Sequence, residues 1–177
     1  MENIVYKEMD INEAVRINEI DASQYIKRAW REVDGKRTLI DLDYYDDTWP
    51  NGYENHLEGV RKTIKNGGKA FSAYEKDGQL LGFATVNSDM FGDKFKYVLL
   101  DQIFISNKHR GRGIGKRLFK MCTDQAIEWG ADKLYICAGS AEDTIAFYRR
   151  LGCGDAVEVN KAFYESDPRD MQLEYSL

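Results

Sequence analysis

The sequence predicts an α/β fold built on a mixed sheet. Three observations carry this. Strand-like runs over residues 70–74 and 80–86 flank the turn signal Lys76-Asp77-Gly78. From 113 to 129 the apolar residues Ile114, Leu118, Cys122, Ala126 and Trp129 recur in steps of four and three, which marks one buried stripe of a helix. Two further strand candidates, over 95–105 and 134–138, bracket that helix.

In chain order, Ile4-Val5-Tyr6 reads as a short opening strand, and Asp10 can cap a helix carrying Ile11, Val15 and Ile17. A second helix is expected over 22–33, with Tyr25, Ile26, Ala29 and Trp30 on one side and Asp34-Gly35 as its end. Residues 38–45 alternate loosely, as a short strand or an extended loop would. Thr48-Trp49-Pro50-Asn51-Gly52 is a turn, after which Leu57, Val60 and Ile64 restore helical spacing until Gly67-Gly68. Met90-Phe91-Gly92-Asp93 forms a loop before the third strand. Ser140-Ala141-Glu142-Asp143 has the form of a capping box for a helix that runs to Leu151 and stops at Gly152. Strands over 157–163 and 171–175 complete the set. No repeat, low-complexity stretch or linker interrupts the 177 residues, so a single domain over 1–177 is expected.

Composition excludes several classes. With 43% hydrophobic and 31% charged residues the chain is neither a disordered tail nor a membrane protein. Its longest uncharged stretch, 79–88, is about half of what a spanning helix needs. The N-terminus has no basic segment followed by an apolar run, so no secretory signal is expected. Cys122, Cys137 and Cys153 are odd in number and lack metal-ribbon spacing, which argues against a disulfide framework or a zinc site. No metal is expected, Cys122 and Cys137 read as packing residues, and the expected compartment is the cytoplasm.

Charge is unevenly distributed along the chain. The 25 Lys and Arg against 30 Asp and Glu leave a net charge of −5, which argues against a nucleic-acid partner. Between 38 and 60 stand Asp41, Asp43, Asp46, Asp47, Glu54 and Glu58 with no Lys or Arg. Between 107 and 120 stand Lys108, Arg110, Arg112, Lys116, Arg117 and Lys120 with no carboxylate. One segment suits a cation and the other an anion.

The sharpest feature is the passage from Ile103-Phe104-Ile105 into Arg110-Gly111-Arg112-Gly113-Ile114-Gly115-Lys116, a strand, a glycine-rich turn and a helix start. Glycine lets backbone approach a ligand closely, and the free N–H groups and positive dipole end of a helix start suit phosphate. The spacing fits neither common phosphate loop. A Walker A loop requires Gly-Lys-Ser/Thr, whereas Arg117 follows Lys116, and a dinucleotide fingerprint requires Gly-x-Gly-x-x-Gly, whereas the glycines fall at 111, 113 and 115. It does fit R/Q-x-x-G-x-G/A, the pyrophosphate signature of the GNAT superfamily of acyl-CoA-dependent N-acetyltransferases. Ala141 to Cys153 likewise resembles that family's N-x-x-A-x-x-F-Y-x-x-x-G-F segment, with Ala141 in place of the usual Asn and Cys153 in place of Phe. The order of elements also matches, so the resemblance covers nearly the whole chain.

The resemblance implies a mostly antiparallel sheet of about six or seven strands flanked by helices and splayed centrally to admit acyl-CoA. Acetyl-CoA is the implied co-substrate. Ile103, Phe104 and Ile105 would hold its pantetheine arm by main chain, with an N–H near Ile103 as oxyanion donor. Arg110, Gly111, Arg112, Gly113, Ile114, Gly115 and Lys116 would hold the diphosphate, with Asp143 and Phe147 adding contacts. Tyr148 is implied as the group assisting thiolate departure, and either Asp101 or a water chain ending at solvent as the base. The acidic stretch, with Asp43, Tyr44, Asp46, Asp47 and Trp49, is the expected acceptor side, where carboxylates and aromatic faces attract a cationic amine. The expected activity is acetyl transfer to a primary amine of a small cationic molecule by direct attack in a ternary complex. A protein N-terminus or lysine as acceptor is one alternative, and a non-catalytic acyl-CoA-binding module another. Dimers are common in the family, but no sequence feature selects a homodimer interface.

Overall fold

The hydrophobic pattern resolves into strands wherever both faces are covered. Leu80–Val86 is buried at every position, and Tyr97–Ile105 is buried through its first four residues, as central strands of a sheet packed on both sides must be. The computed structural model describes residues 4–177. Its main sheet has seven strands: β1 (Val5–Glu8), β4 (Lys69–Tyr74), β5 (Leu80–Val86), β6 (Tyr97–Ile105), β7 (Lys133–Ala138), β8 (Gly154–Asp155) and β9 (Met171–Ser176). They lie in the order β1-β4-β5-β6-β7-β9-β8, and every pairing is antiparallel except β6 with β7. The mixed, mostly antiparallel sheet is therefore as expected.

Four helices cover it: α1 (Tyr53–Lys65), α2 (Ile114–Glu128), α3 (Glu142–Leu151) and the short α4 (Lys161–Ser166). The back face meets α2 and α3 through Val98, Leu100, Leu118, Cys122, Leu134, Ile136 and Tyr148. The front face has two separate patches. Leu57 and Val60 of α1 pack on Leu80 and Phe83, whereas Tyr97, Leu99 and Tyr135 pack under Phe91, Phe95 and Phe163.

Three expectations fail for local reasons. The helix expected over 22–33 is a strand, β2 (Gln24–Val33), paired with β3 (Lys36–Asp46) in a two-stranded arm outside the main sheet. Tyr25, Ile26, Ala29 and Trp30 happen to satisfy helical spacing. The deciding signal is Asp34-Gly35, which turns the chain with φ of 50° and 72°, the left-handed pair that a two-residue hairpin turn requires. The strand expected over 157–163 has no neighbour to pair with; instead Glu158 accepts the backbone N–H groups of Asp93, Lys94 and Phe95, and Asn160 caps α4 by accepting from Phe163 N. After Asp10, six residues (Ala14–Glu19) form only a 3₁₀ helix. The capping box fails in detail too. Ala141 is the N-cap of α3 without a side-chain cap, and Ser140 Oγ instead accepts from Arg31.

Candidate active site

The site begins with an interruption in β6. Thr85 pairs with Gln102 but Val86 pairs with Leu100, so Asp101 is an extra residue, a bulge. Bulges bend a strand and re-aim the side chain they carry. On its other edge β6 stays with β7 only through Leu100↔Ile136, and from Asp101 onward the two strands have no pairing. The sheet splays there. Ser106 N–H donates to Leu81 O at 2.9 Å, so by antiparallel alternation the N–H groups of Ile103 and Ile105 point away from β5, into the gap. This open edge is the natural partner for an extended, amide-bearing chain.

The gap leads to the glycine turn. Gly111 and Gly113 have φ of 78° and 81°, and a Cβ at either would meet nothing within 4 Å. Backbone conformation rather than crowding requires glycine at both. Gly113 is the N-cap of α2 with no side-chain cap, and Arg117 N–H donates to Gly113 O at 3.1 Å. The N–H groups of the first helical turn lie at the positive end of a 15-residue helix. Ile114 is only 1% exposed, so it offers its backbone and sends its side chain to the core. Gly115 serves packing: a Cβ there would stand 3.1 Å from Phe147 Cε2, so its absence lets α3 lie against the first turn of α2. Lys116 is exposed beside the turn. Asp143 is exposed on the first turn of α3. Arg110 differs from expectation, because its guanidinium donates to Ile105 O at 3.1 Å and Ala22 O at 3.5 Å and so shapes the turn. Arg112 donates to His109 Nδ1.

Two titratable groups singled out by the sequence have shifted pKa values. Asp101 is reached by water yet walled by protein, and this desolvation pushes its pKa above the usual carboxylate range, partly offset by Gln102, His56 and Lys62. Tyr148 comes from the back face, packed edge-on against Phe119 and Phe147, and is only 5% exposed. Burial raises its pKa well above that of a free phenol, so it stays protonated. Its hydroxyl has no hydrogen-bond partner among the described residues.

The front-face neighbours of Asp101 include residues that sequence reasoning passed over. His56 Nδ1 lies 2.9 Å from Gln102 Oε1 and its Nε2 2.5 Å from Pro50 O, while its ring packs on Trp49 and Phe104. His56 thus ties the Trp49-Pro50 turn to the strand bearing the bulge. Gly59 lets α1 approach, since a Cβ there would fall 2.6 Å from Gln102 Nε2 and 3.8 Å from Asp101 Oδ2. No spacing rule joins His56 to Gln102 in sequence. The acidic stretch is divided: Trp49 packs against the sheet, whereas Asp43, Tyr44 and Asp46 lie on the β3 strand of the arm and Asp47 just beyond it. Asp43 has φ of 53° and accepts from the Tyr25 hydroxyl. The arm starts beside the glycine turn, where Asn107 N–H donates to Asp21 O, and crosses to α3, where Trp30 N–H donates to Ser140 O and Arg28 pairs with Glu142. Among the described residues no group of three or more His, Cys, Asp or Glu is placed to hold a metal ion, and no helix is long and apolar enough to cross a membrane.

A bulged, splayed strand leading to an anion-receptive helix start defines an acyl-CoA-dependent transferase site, and comparison with known proteins agrees. Residues 36–153 match the acetyltransferase (GNAT) family. A streptothricin acetyltransferase of Streptomyces lavendulae is 32% identical over 141 residues, 77% of this chain and 68% of that one. Among solved structures, nourseothricin acetyltransferase superposes with a TM-score of 0.75 at 21% identity, over 98% of both chains. A Bacillus anthracis protein described as a streptothricin acetyltransferase, in complex with acetyl coenzyme A, gives 0.72 at 17% identity over 99% of both. The chain belongs to the GNAT acetyltransferase family. It is an acetyl-CoA-dependent N-acetyltransferase.

Proposed function

We propose that the chain acetylates a primary amine of a small cationic molecule of the streptothricin class, by direct attack in a ternary complex. The observation that carries this reading is the bulge at Asp101, which falls where the β6–β7 ladder ends. The 32% identical streptothricin acetyltransferase supports the acceptor class.

In this reading acetyl-CoA supplies an activated acetyl carbonyl. The N–H groups of residues 111–116 and the Lys116 ammonium hold its diphosphate, and the open edge of Ile103 and Ile105 aligns its pantetheine amides. Phe104, Asp143 and Phe147 border the same channel, while Arg110 and Arg112 brace the turn. Asp101 takes a proton from the acceptor ammonium, directly or through water, and its raised pKa fits it to that task better than an ordinary carboxylate. The freed nitrogen lone pair forms the C–N bond as the C–S bond breaks. The N–H of Ile103 stabilises charge on the carbonyl oxygen. Tyr148 donates a hydrogen bond to the departing thiolate, and the second nitrogen proton leaves to the thiolate or to solvent. Asp43, Tyr44, Asp46 and Asp47 of the arm draw the cation in, and Trp49 borders its path. The weaving of β1 and β9 into one sheet supports a single catalytic unit through the chain. Three free cysteines support a reducing, cytoplasmic setting.

Thiol release from acetyl-CoA tests the reading, with streptothricin, simple alkylamines, and peptides bearing a free N-terminus or lysine as acceptors. Turnover on streptothricin and small amines is the expected result. Turnover on peptides alone, or acetyl-CoA binding with no turnover on any acceptor, overturns it.

A further inference from the structure

We propose that Asp170 is an acceptor-binding residue, whose carboxylate on the far lip of the gap holds an ammonium group of the acceptor other than the one acetylated. The inference rests on the small-amine reading above and identifies a residue class that neither motif contains.

The β7–β9 register places Asp170. Ala138↔Met171 is the last pair of that ladder, and Asp170 immediately precedes Met171, one step beyond it. It therefore stands at the end of the β7 side of the splay, as Asp101 stands on the β6 side. Cys137 lies between the two. Its thiol, 3.5 Å from Gln172 Oε1, feels the charge of both Asp101 and Asp170.

What distinguishes Asp170 is its lack of a partner. Among the described residues its carboxylate makes no hydrogen bond or ion pair; only its backbone is engaged, with N–H donating to Asp167 O at 3.1 Å and C=O accepting from Gln172 Nε2 at 3.4 Å. The adjacent Arg169 guanidinium is held by Asp167 through two 3.1 Å bonds. Burial pushes the Asp170 pKa upward, the Asp167 charge adds to that, and the Arg169 charge offsets only part of it. A half-buried carboxylate without a cation is unfavourable in the free protein and gains most when a cation arrives. The Tyr148 hydroxyl, on a side chain 5% exposed and within the electrostatic reach of both Cys137 and Asp170, is unpartnered among the described residues. The proposal seats one nitrogen of a diamine at Asp101, facing the thioester, and the other at Asp170.

The test compares 1,4-diaminobutane with n-butylamine as acceptors for the wild type, Asp170→Asn and Asp170→Glu, at low and high ionic strength. The wild type is expected to prefer the diamine in kcat/KM by about tenfold or more, and the preference to weaken with salt. In Asp170→Asn the diamine KM rises by about the same factor and the preference and its salt dependence vanish. The KM values for n-butylamine and acetyl-CoA stay within about twofold, and Asp170→Glu retains the preference. Equal effects on both amines in Asp170→Asn, or a preference that survives it, overturn the role of Asp170 while leaving the small-amine reading intact. A wild type that acetylates only peptides overturns both.

Discussion

Asp101 owes its position to a single unpaired backbone step and its chemistry to the walls around it. The bulge at Asp101 falls where the β6–β7 ladder ends, so in the proposed reading base and co-substrate channel arise together. Two predictions belong at this scale. In the proposed reading the acid limb of the kcat/KM profile reflects loss of the Asp101 carboxylate. Because desolvation raises its pKa, that limb falls at higher pH than an ordinary aspartate near 4 would give, and Asp101→Asn removes it together with most turnover. The second concerns Tyr148, which stays protonated across the working range and, in the proposed reading, acts only on the leaving group. Tyr148→Phe lowers kcat by roughly 10²-fold or more while acetyl-CoA affinity changes little, as calorimetry and initial rates read separately. Both residues were proposed from the sequence, Tyr148 through its motif and Asp101 through its place before Ile103. His56, Gln102 and Asp170 were not, because their meeting depends on register and on a loop crossing that leave no periodic trace.

Among the elements, the glycine turn and the arm contrast in how clearly local sequence specifies them. The turn is specified residue by residue. Gly113 requires left-handed backbone in open space, so Gly113→Ala costs about 1–2 kcal/mol and weakens acetyl-CoA binding without any clash. Gly115→Ala instead presses on Phe147 and shifts α3 against α2, weakening binding through the channel wall; isothermal titration on both variants checks this. The arm is specified mainly by two residues. Asp34-Gly35 ends a helix as readily as it turns a hairpin, and only pairing with 36–46 decides between them. Loosely alternating, exposed strands give weak period-two signals, which is why β2 looked helical. The arm carries the acidic stretch, and joint neutralisation of Asp43, Asp46 and Asp47 is expected to raise the acceptor KM several-fold in steady-state assays at unchanged melting temperature.

For the molecule as a whole, a buried charge network helps hold the far end of the sheet. Lys133 and Glu174, with side chains 11% and 9% exposed, form an ion pair joined by the Tyr97 hydroxyl and the Val157 N–H. Burial alone would raise the Glu174 pKa, yet these donors hold it below the usual range. A lowered carboxylate pKa stabilises the fold above its unfolded value near 4.3, and that stability is lost as pH falls through the native value. Lys133→Met, which leaves the carboxylate buried and unpaired, is expected to cost about 3–5 kcal/mol at pH 7 in urea melts, and less in acid. The runs that become β1, β4, β5, β6, β7 and β9 were legible from the alternation of runs and turns, whereas their order across the sheet was not read from the sequence. The splay was legible only through the resemblance, since a missing ladder is invisible in any single strand. The most direct measurement of the central claim is a crystal structure with acetyl-CoA bound. The account predicts the diphosphate against the N–H groups of residues 111–116 and the pantetheine lying along the free edge of Ile103 and Ile105, with its thioester beside Asp101. A cofactor bound elsewhere, or a β6 edge closed against β7 in that complex, would contradict it.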